Sequence, residues 1–340
     1  MAIERRPADI GIACTLLCFL AALSASAALP VLPQATTATS GMFDATAAAS
    51  PTYFYITFHG GNHKTSVNNV GRYSLDGTPL GTVLEPPDST PLHELRSTSL
   101  FGSHLLVANA YTDNSYIAVY GDCDARGKRS FIRNLVTTAT DKYLDHPYGI
   151  SKVADGFVYV TSQDTDSVTR YSVASLLGDK PDEEKAAMAK GPSPFANFGQ
   201  KQSVRGLAVD TRAHVVYVAD EKNDLVHAIE VGSGQALFTI DVPSPVGVHF
   251  DATTRKLYIG SNNGDHSAVH EYAVDNKQMT NKFTHNSITH PAGIVSAAGK
   301  LYVLAQDSRK LHSFDLETAD HHVVIHNLPD SPEQITISPC

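Results

Sequence analysis

Several absences narrow the class of this 340-residue chain before any motif is read. No run of Lys or Arg occurs, and 26 basic side chains face 35 acidic ones, a net charge of −9. That balance opposes nucleic acid and anionic membrane as partners, because both are bound through basic clusters. No Gly-x-Ser-x-Gly elbow, Walker loop, dinucleotide fingerprint or Cys-x-x-Cys pair is present, so serine-hydrolase, nucleotide and redox chemistry lack support. The one long apolar stretch, Ile10 to Leu23, is shorter than the ~20 residues a membrane span needs, and no stable membrane anchor is expected. There is no Asn-x-Ser/Thr site to corroborate secretion by glycosylation.

That apolar stretch follows Arg5 and Arg6 and precedes Ala25-Ser26-Ala27, the layout of a secretory signal with a small-residue cleavage motif. Residues 1–27 are therefore expected to be a signal peptide and the protein secreted and extracellular. Residues 28–51, rich in Ala, Thr, Ser and Pro, read as a disordered leader. Removing 1–27 takes away two charges of each sign (Glu4, Asp9, Arg5, Arg6), so the remaining chain keeps its net −9. Residues 52–340 are then left as a single domain.

What fills that domain is a repeat. An aromatic or Leu followed by a β-branched pivot recurs six times: Tyr55-Ile56, Leu106-Val107, Tyr159-Val160, Tyr217-Val218, Tyr258-Ile259 and Tyr302-Val303. The spacing of roughly 40–50 residues is that of a propeller or array. A second apolar strand follows each pivot, and four pivots are preceded by a small-residue lead-in. These are Pro147-Tyr148-Gly149-Ile150, Val204-Arg205-Gly206-Leu207, Pro245-Val246-Gly247-Val248 and Pro291-Ala292-Gly293-Ile294. Pro can open a strand where no ladder bond is needed, and Gly permits close backbone approach around an axis. The first pivot lacks a lead-in, while Ser331 to Ile337 is a lead-in with no pivot after it. The two fit together as one blade closed by the C-terminal strand, which removes the open sheet edges. The expected fold is all-β: a six-bladed β-propeller of four-stranded blades.

The pattern Pro-x-Gly-Ile, then Leu/Val-Tyr-Val-Ala-Asp, then a further strand resembles NHL-repeat propellers, with Val204 to Ile229 the closest match. The resemblance covers about residues 52–338 and implies a secreted six-bladed repeat protein. Blade 2 departs from it, having Leu95-Arg96-Ser97-Thr98 at its lead-in. Propellers of this type include peptidyl-hydroxyglycine amidating lyases, whose zinc is held by three His near the axis.

Aligning the lead-ins places Glu94, His146, Ser203, Ser244, His290 and Ser331 at the rim of the central opening. Two positions further in stand Arg96, Tyr148, Arg205, Glu333, Val246 and Ala292. His146 and His290 lie three blades apart, and the loop after the first pivot adds His59 and His63. With Glu94 or His59 as a third ligand, the two rim histidines are a candidate Zn²⁺ set with an open position for water. The alternative is that a His before Pro simply opens the strand. Asp/Asn-rich loops, including Asp113, would suit Ca²⁺ but lack a calcium-loop spacing and read as turns. His249, counted with the binding residues at the rim of the central opening, stands where other lead-in strands carry Ser151, Ala208, Val295 and Thr336, and either plugs the axis or touches a ligand. His227, His270 and His312 share one strand position in successive blades and are not expected to converge. His321 and His322 read as solvated.

Residues 179–190 favour a short helix in an excursion from blade 3, with Phe195 to Phe198 supplying that blade's outer strand. Cys123 and Cys340 are expected to emerge on the same far face of adjacent blades, where a disulfide is permitted. Two functions remain open: a binding scaffold that recognises a protein, peptide or small molecule through its loop face, and a metal-dependent lyase or hydrolase at the central opening.

Overall fold

Each pivot lies in the second strand of a four-stranded antiparallel blade, and the period-2 alternation of those strands buries one large residue on each side. All six pivot aromatics or leucines are buried: Tyr55, Leu106 and Tyr159 are 0% exposed, and Tyr302, the most exposed, 8%. The computed structural model describes residues 52–61, 64–87, 91–111, 114–174, 194–199 and 203–340, all within the unit Ala49–Cys340. The expected signal peptide and leader, His63, Asp113 and the expected helix at 179–190 lie outside the described residues.

Six sheets stand around one axis. Their innermost strands are Pro332–Ser338 for blade 1, Leu95–Phe101 for blade 2, Pro147–Ile150 for blade 3, Val204–Asp210 for blade 4, Pro245–Asp251 for blade 5 and Pro291–Ala297 for blade 6. The C-terminal strand pairs antiparallel with Tyr53–Phe58, Ile56 opposite Ile335, which closes the ring. Blade 2 differs from the four-strand expectation. Leu84–Glu85, on the crossing from blade 1, adds a short parallel strand beside Arg129–Thr137, held by Asn69, whose side chain bonds the backbone of Leu84 in both directions. In blade 3 the outermost place is taken by Ala196–Asn197, paired with Ser167 and Val168, and Phe195 packs edge-on against Tyr159 at 4.9 Å.

The Gly of the lead-in motif has a steric cause. A Cβ on Gly206 would lie 2.6 Å from the Val246 carbonyl oxygen of the next blade, and one on Gly247 would collide with the Ala292 carbonyl. Only a residue without a side chain lets neighbouring inner strands approach so closely. Each inner strand also carries a register shift where it starts. Such bulges bend a strand and re-aim its side chains.

Cys123, at the end of the third strand of blade 2 (Tyr116–Cys123), is disulfide-bonded to Cys340, with Cα atoms 5.9 Å apart. The bond anchors the tail behind the closing strand to the neighbouring blade.

Candidate functional site

A sixfold backbone bond defines the loop face. The carbonyls of Ser331, Glu94, His146, Ser203, Ser244 and His290 accept from the N–H groups of His59, Ala110, Gln163, Glu221, Asn262 and Gln306 respectively, at 2.8 to 3.1 Å. The donor in each case is the first residue after the second strand of the same blade. Four of the acceptors are non-Gly residues in the left-handed region: Glu94 at φ +52°, His146 at +51°, Ser244 at +43° and His290 at +49°. A side chain at such a position costs of order 1 kcal/mol or more, and strain of this kind gathers at functional sites.

The polar residues two positions further in converge on Arg96, whose side chain is 6% exposed. Its Nη1 pairs with Glu333 Oε1, from the closing strand, and lies 2.6 Å from His59 Nδ1. Its Nη2 donates to His146 Nε2 at 2.9 Å and lies 3.8 Å from Glu94 Oε2. With Nε2 accepting, the His146 proton sits on Nδ1, facing Asp164 Oδ2 at 3.4 Å. His59 Nδ1 is also 2.9 Å from Glu333 Oε1, so it either donates to the carboxylate or accepts from the guanidinium. The Tyr148 ring lies between two cations, with Arg96 Cζ at 5.9 Å and Arg205 Cζ at 5.1 Å from its centroid. Arg205 in turn bonds Glu221 through Nε at 2.8 Å and Gln163 through Nη1 at 2.9 Å. Val246 and Ala292 complete this ring and pack with Tyr148 as an apolar patch that narrows the axis.

Burial pushes the Glu333 carboxyl up, but the Arg96 charge and the His59 hydrogen bond outweigh it and hold the group below the usual Glu value. Burial, reinforced by Arg96, holds His146 down, and burial does the same to His290. Tyr148 is pushed up by burial. Four buried atoms of this mouth have no hydrogen-bond partner among the described residues: Arg96 Nε, Glu333 Oε2, Tyr148 OH and His290 Nε2. Beneath them a cavity of about 30 Å³ is lined by Arg96, Tyr148 and Glu333, space for one water.

The zinc set expected from the sequence is not assembled. His146 Nε2 accepts from a guanidinium, His59 is engaged with Glu333 and Arg96, and His290 faces Asp307 at 3.9 Å. No three ligand atoms of the described His and carboxylates at this mouth come within 4.8 Å of one another. Arg96 already supplies the positive charge a metal would have brought, so the metal-dependent lyase or hydrolase reading loses its centre.

His249 belongs to the opposite end of the axis, where a cavity of about 640 Å³ opens between the inner strands. Its Nε2 accepts from the Ser296 N–H at 3.1 Å and lies 2.9 Å from Ser296 Oγ, which is 3.0 Å from Asp251 Oδ2. Burial, with the Lys152 charge, lowers its pKa to about 4. Thr98, Ser99, Ser151 and Thr336 also line this cavity.

Of the residues sought in the sequence, Glu94, Arg96, His146, Tyr148, Arg205 and Glu333 form one connected mouth. His290 lies within the electrostatic reach of Glu333, Glu221 and Arg205 on the same face, and His249 stands apart. Sequence reasoning passed over Gln163 and Glu221, although both follow a pivot strand directly, in register with His59.

The fold and this mouth define a class: a six-bladed propeller consistent with a binding scaffold. No protein-family model and no curated protein matches the sequence. Solved structures do match in shape. A chain of a nidogen–laminin complex aligns at TM-score 0.58 and 12% identity, covering 84% of this chain and 98% of its own. A putative 6-phosphogluconolactonase from Bacteroides fragilis aligns at TM-score 0.57 and 12% identity, covering 87% and 100%. The periplasmic gluconolactonase of Pseudomonas aeruginosa aligns at 0.53 and 14% identity, covering 84% and 99%. At these identities the likeness establishes the fold alone.

Proposed function

We propose that this protein is an exported recognition propeller of NHL type that binds a protein or peptide partner by receiving a polar side chain at the loop-face mouth. The reading rests on the four unpartnered polar atoms around Arg96 and Glu333, because buried donors and acceptors are ordinarily satisfied. Arg96 Nε and Tyr148 OH offer protons and Glu333 Oε2 accepts one, a set that suits a small group carrying both functions, such as an amide. The space beneath is too small for a free ligand of drug size, which favours a group presented by a larger partner. A chain of net charge −9 makes nucleic acid an unsuitable occupant. The Cys123–Cys340 bond supports export to an oxidising compartment. The bulged lead-ins with their Gly support the NHL-type reading.

The test is selection of peptides from a displayed library against the mature protein, followed by binding to two variants. Arg205→Ala alters the loop-face mouth and Lys152→Ala alters the opposite cavity. Binders lost with Arg205→Ala and retained with Lys152→Ala bear the proposal out. The reverse pattern would move recognition to the far end of the axis.

A further inference from the structure

Away from the axis, three histidines meet at the seam between blades 5 and 6. His285 lies on the segment joining the outer strand of blade 5 (Gln278–Phe283) to the inner strand of blade 6. His312 lies in the third strand of blade 6 (Lys310–Asp315), and His321 in its outermost strand (His321–Ile325). The sequence placed His312 on a strand face with no convergent partner and His321 in solvent. In the structure His312 is fully buried, and its Nδ1 is 2.9 Å from His321 Nε2. The two strands pair with Phe314 opposite His321 and His312 opposite Val323, so the imidazoles meet diagonally across the ladder. His285 enters from the neighbouring blade, its ring stacked on His321 with centroids 4.1 Å apart.

One ring nitrogen from each of the three falls within 4.8 Å of the others. Zinc ligated by imidazole at ~2.0–2.1 Å in a tetrahedral site sets its nitrogens about 3.4 Å apart. The spacing here, from 2.9 Å to within 4.8 Å, brackets that value. His285 Nδ1 accepts from the Ser287 N–H at 3.2 Å and lies 2.9 Å from Ser287 Oγ, contacts that orient the ring. A bare imidazole stack explains the cluster less well. Among the described residues no carboxylate lies within salt-bridge distance of any of the three rings. Phe283 and Phe314, 5.3 Å apart, with Phe314 5.0 Å from His321, form an apolar floor. His285 is the most accessible of the three, so its side of the cluster is the one that faces water.

We propose that His285, His312 and His321 form a three-histidine site for a borderline divalent cation of the zinc type, with its fourth position open to solvent. Imidazole nitrogens suit Zn²⁺, Cu²⁺ or Ni²⁺, whereas Ca²⁺ and Mg²⁺ prefer oxygen. An ion there ties the segment leading to His290 onto the outer half of blade 6, bracing two blades at their perimeter. This site is independent of the loop-face mouth.

The experiment uses chelator-treated mature protein titrated with zinc alone by calorimetry, with metal analysis after gel filtration and the visible absorption of the cobalt-substituted form. The wild type should take one zinc per chain and melt several degrees higher with it. His285→Ala, at the most accessible of the three positions, and His321→Ala should each weaken binding about 100-fold or more. His146→Ala reads the rival axial location. Failure of the wild type to bind zinc, zinc retained unchanged in His285→Ala, or zinc lost in His146→Ala would each overturn the site.

Discussion

The two ends of the propeller axis are built from the same inner strands and are chemically opposite. At the loop face, Glu333, Arg96, Tyr148 and Arg205 interlock into a charged ring above about 30 Å³ of space. At the far end the strands splay to about 640 Å³, lined mostly by hydroxyls and aliphatic side chains, with Lys152 and Asp251 near a neutral His249. The difference follows from side-chain length at one position. Of the long charged residues two places into blades 1, 2 and 4, Glu333 pairs with Arg96 and Arg205 with Glu221, and Tyr148 fills the space between the two arginines. Further along, Thr, Ser, Ala and Val are too short to meet. Charge concentrates where the chain can bury it in pairs, and volume remains where it cannot.

The closing strand serves both ends, giving Glu333 to the mouth and Gln334 to Ile337 to the cavity, so its removal is expected to have the largest effect. Deleting the last ten residues exposes two sheet edges and should leave no stable monomer, read by light scattering and thermal melting. A truncated protein that stays monomeric at an unchanged Tm would contradict closure as the basis of both ends.

Glu333→Gln tests the mouth alone. Breaking a buried pair leaves Arg96 uncompensated and should cost about 3–5 kcal/mol in urea unfolding at pH 7. The pH dependence has a definite sign. Glu333 titrates below its unfolded value, so its stabilisation is present above about pH 4.3 and is lost as pH falls through the folded pKa. The variant should therefore lose the steepest part of the acid limb.

Replacing Cys123 and Cys340 together by Ser should cost about 2–5 kcal/mol, with the fold retained under mild conditions. Equal stability with and without reductant in the wild type would show that the closing strand needs no tether.

The far end is reached through His249→Gln. The folded state holds this ring neutral down to about pH 4, while the unfolded chain takes up the proton near pH 6.5. Acidification between those values therefore destabilises the wild type, by at most about 3 kcal/mol from this group. His146 and His290 act in the same direction at the mouth, so the difference between wild type and variant isolates His249. Identical pH profiles would remove the distinction drawn for the far end.

The smallest effect is expected from Ser244→Gly. Its left-handed backbone at φ +43° carries a Cβ cost that Gly lacks, and a gain of about 0.5–1 kcal/mol should follow. A loss would mean that the Ser244 side chain holds the rim more strongly than its backbone strains it.

How much of this was readable in the chain varies with the kind of contact. The pivots at Tyr55, Tyr159 and Tyr258 announce blades because burying a large ring every repeat leaves a periodic trace. The lead-in alignment names Arg96, Tyr148, Arg205 and Glu333, since residues at one register position of a propeller share one radius and height. Their partners Gln163 and Glu221 carry the same register signal, one residue past the pivot strand. The zinc expectation failed because counting histidines at the rim cannot show that Arg96 reaches across a blade to occupy His146 Nε2. His285, His312 and His321 were illegible for a related reason. Their meeting depends on a diagonal across one strand pair and on the lateral approach of the next blade.

The sequence by itself determined the number of blades and the chain closure, because hydrophobic and turn periodicity encode burial and register directly. Tertiary structure alone decided which charges pair, which end of the axis stays open and where three imidazoles converge. Those outcomes depend on the reach of side chains between blades, a distance that no spacing along the chain records.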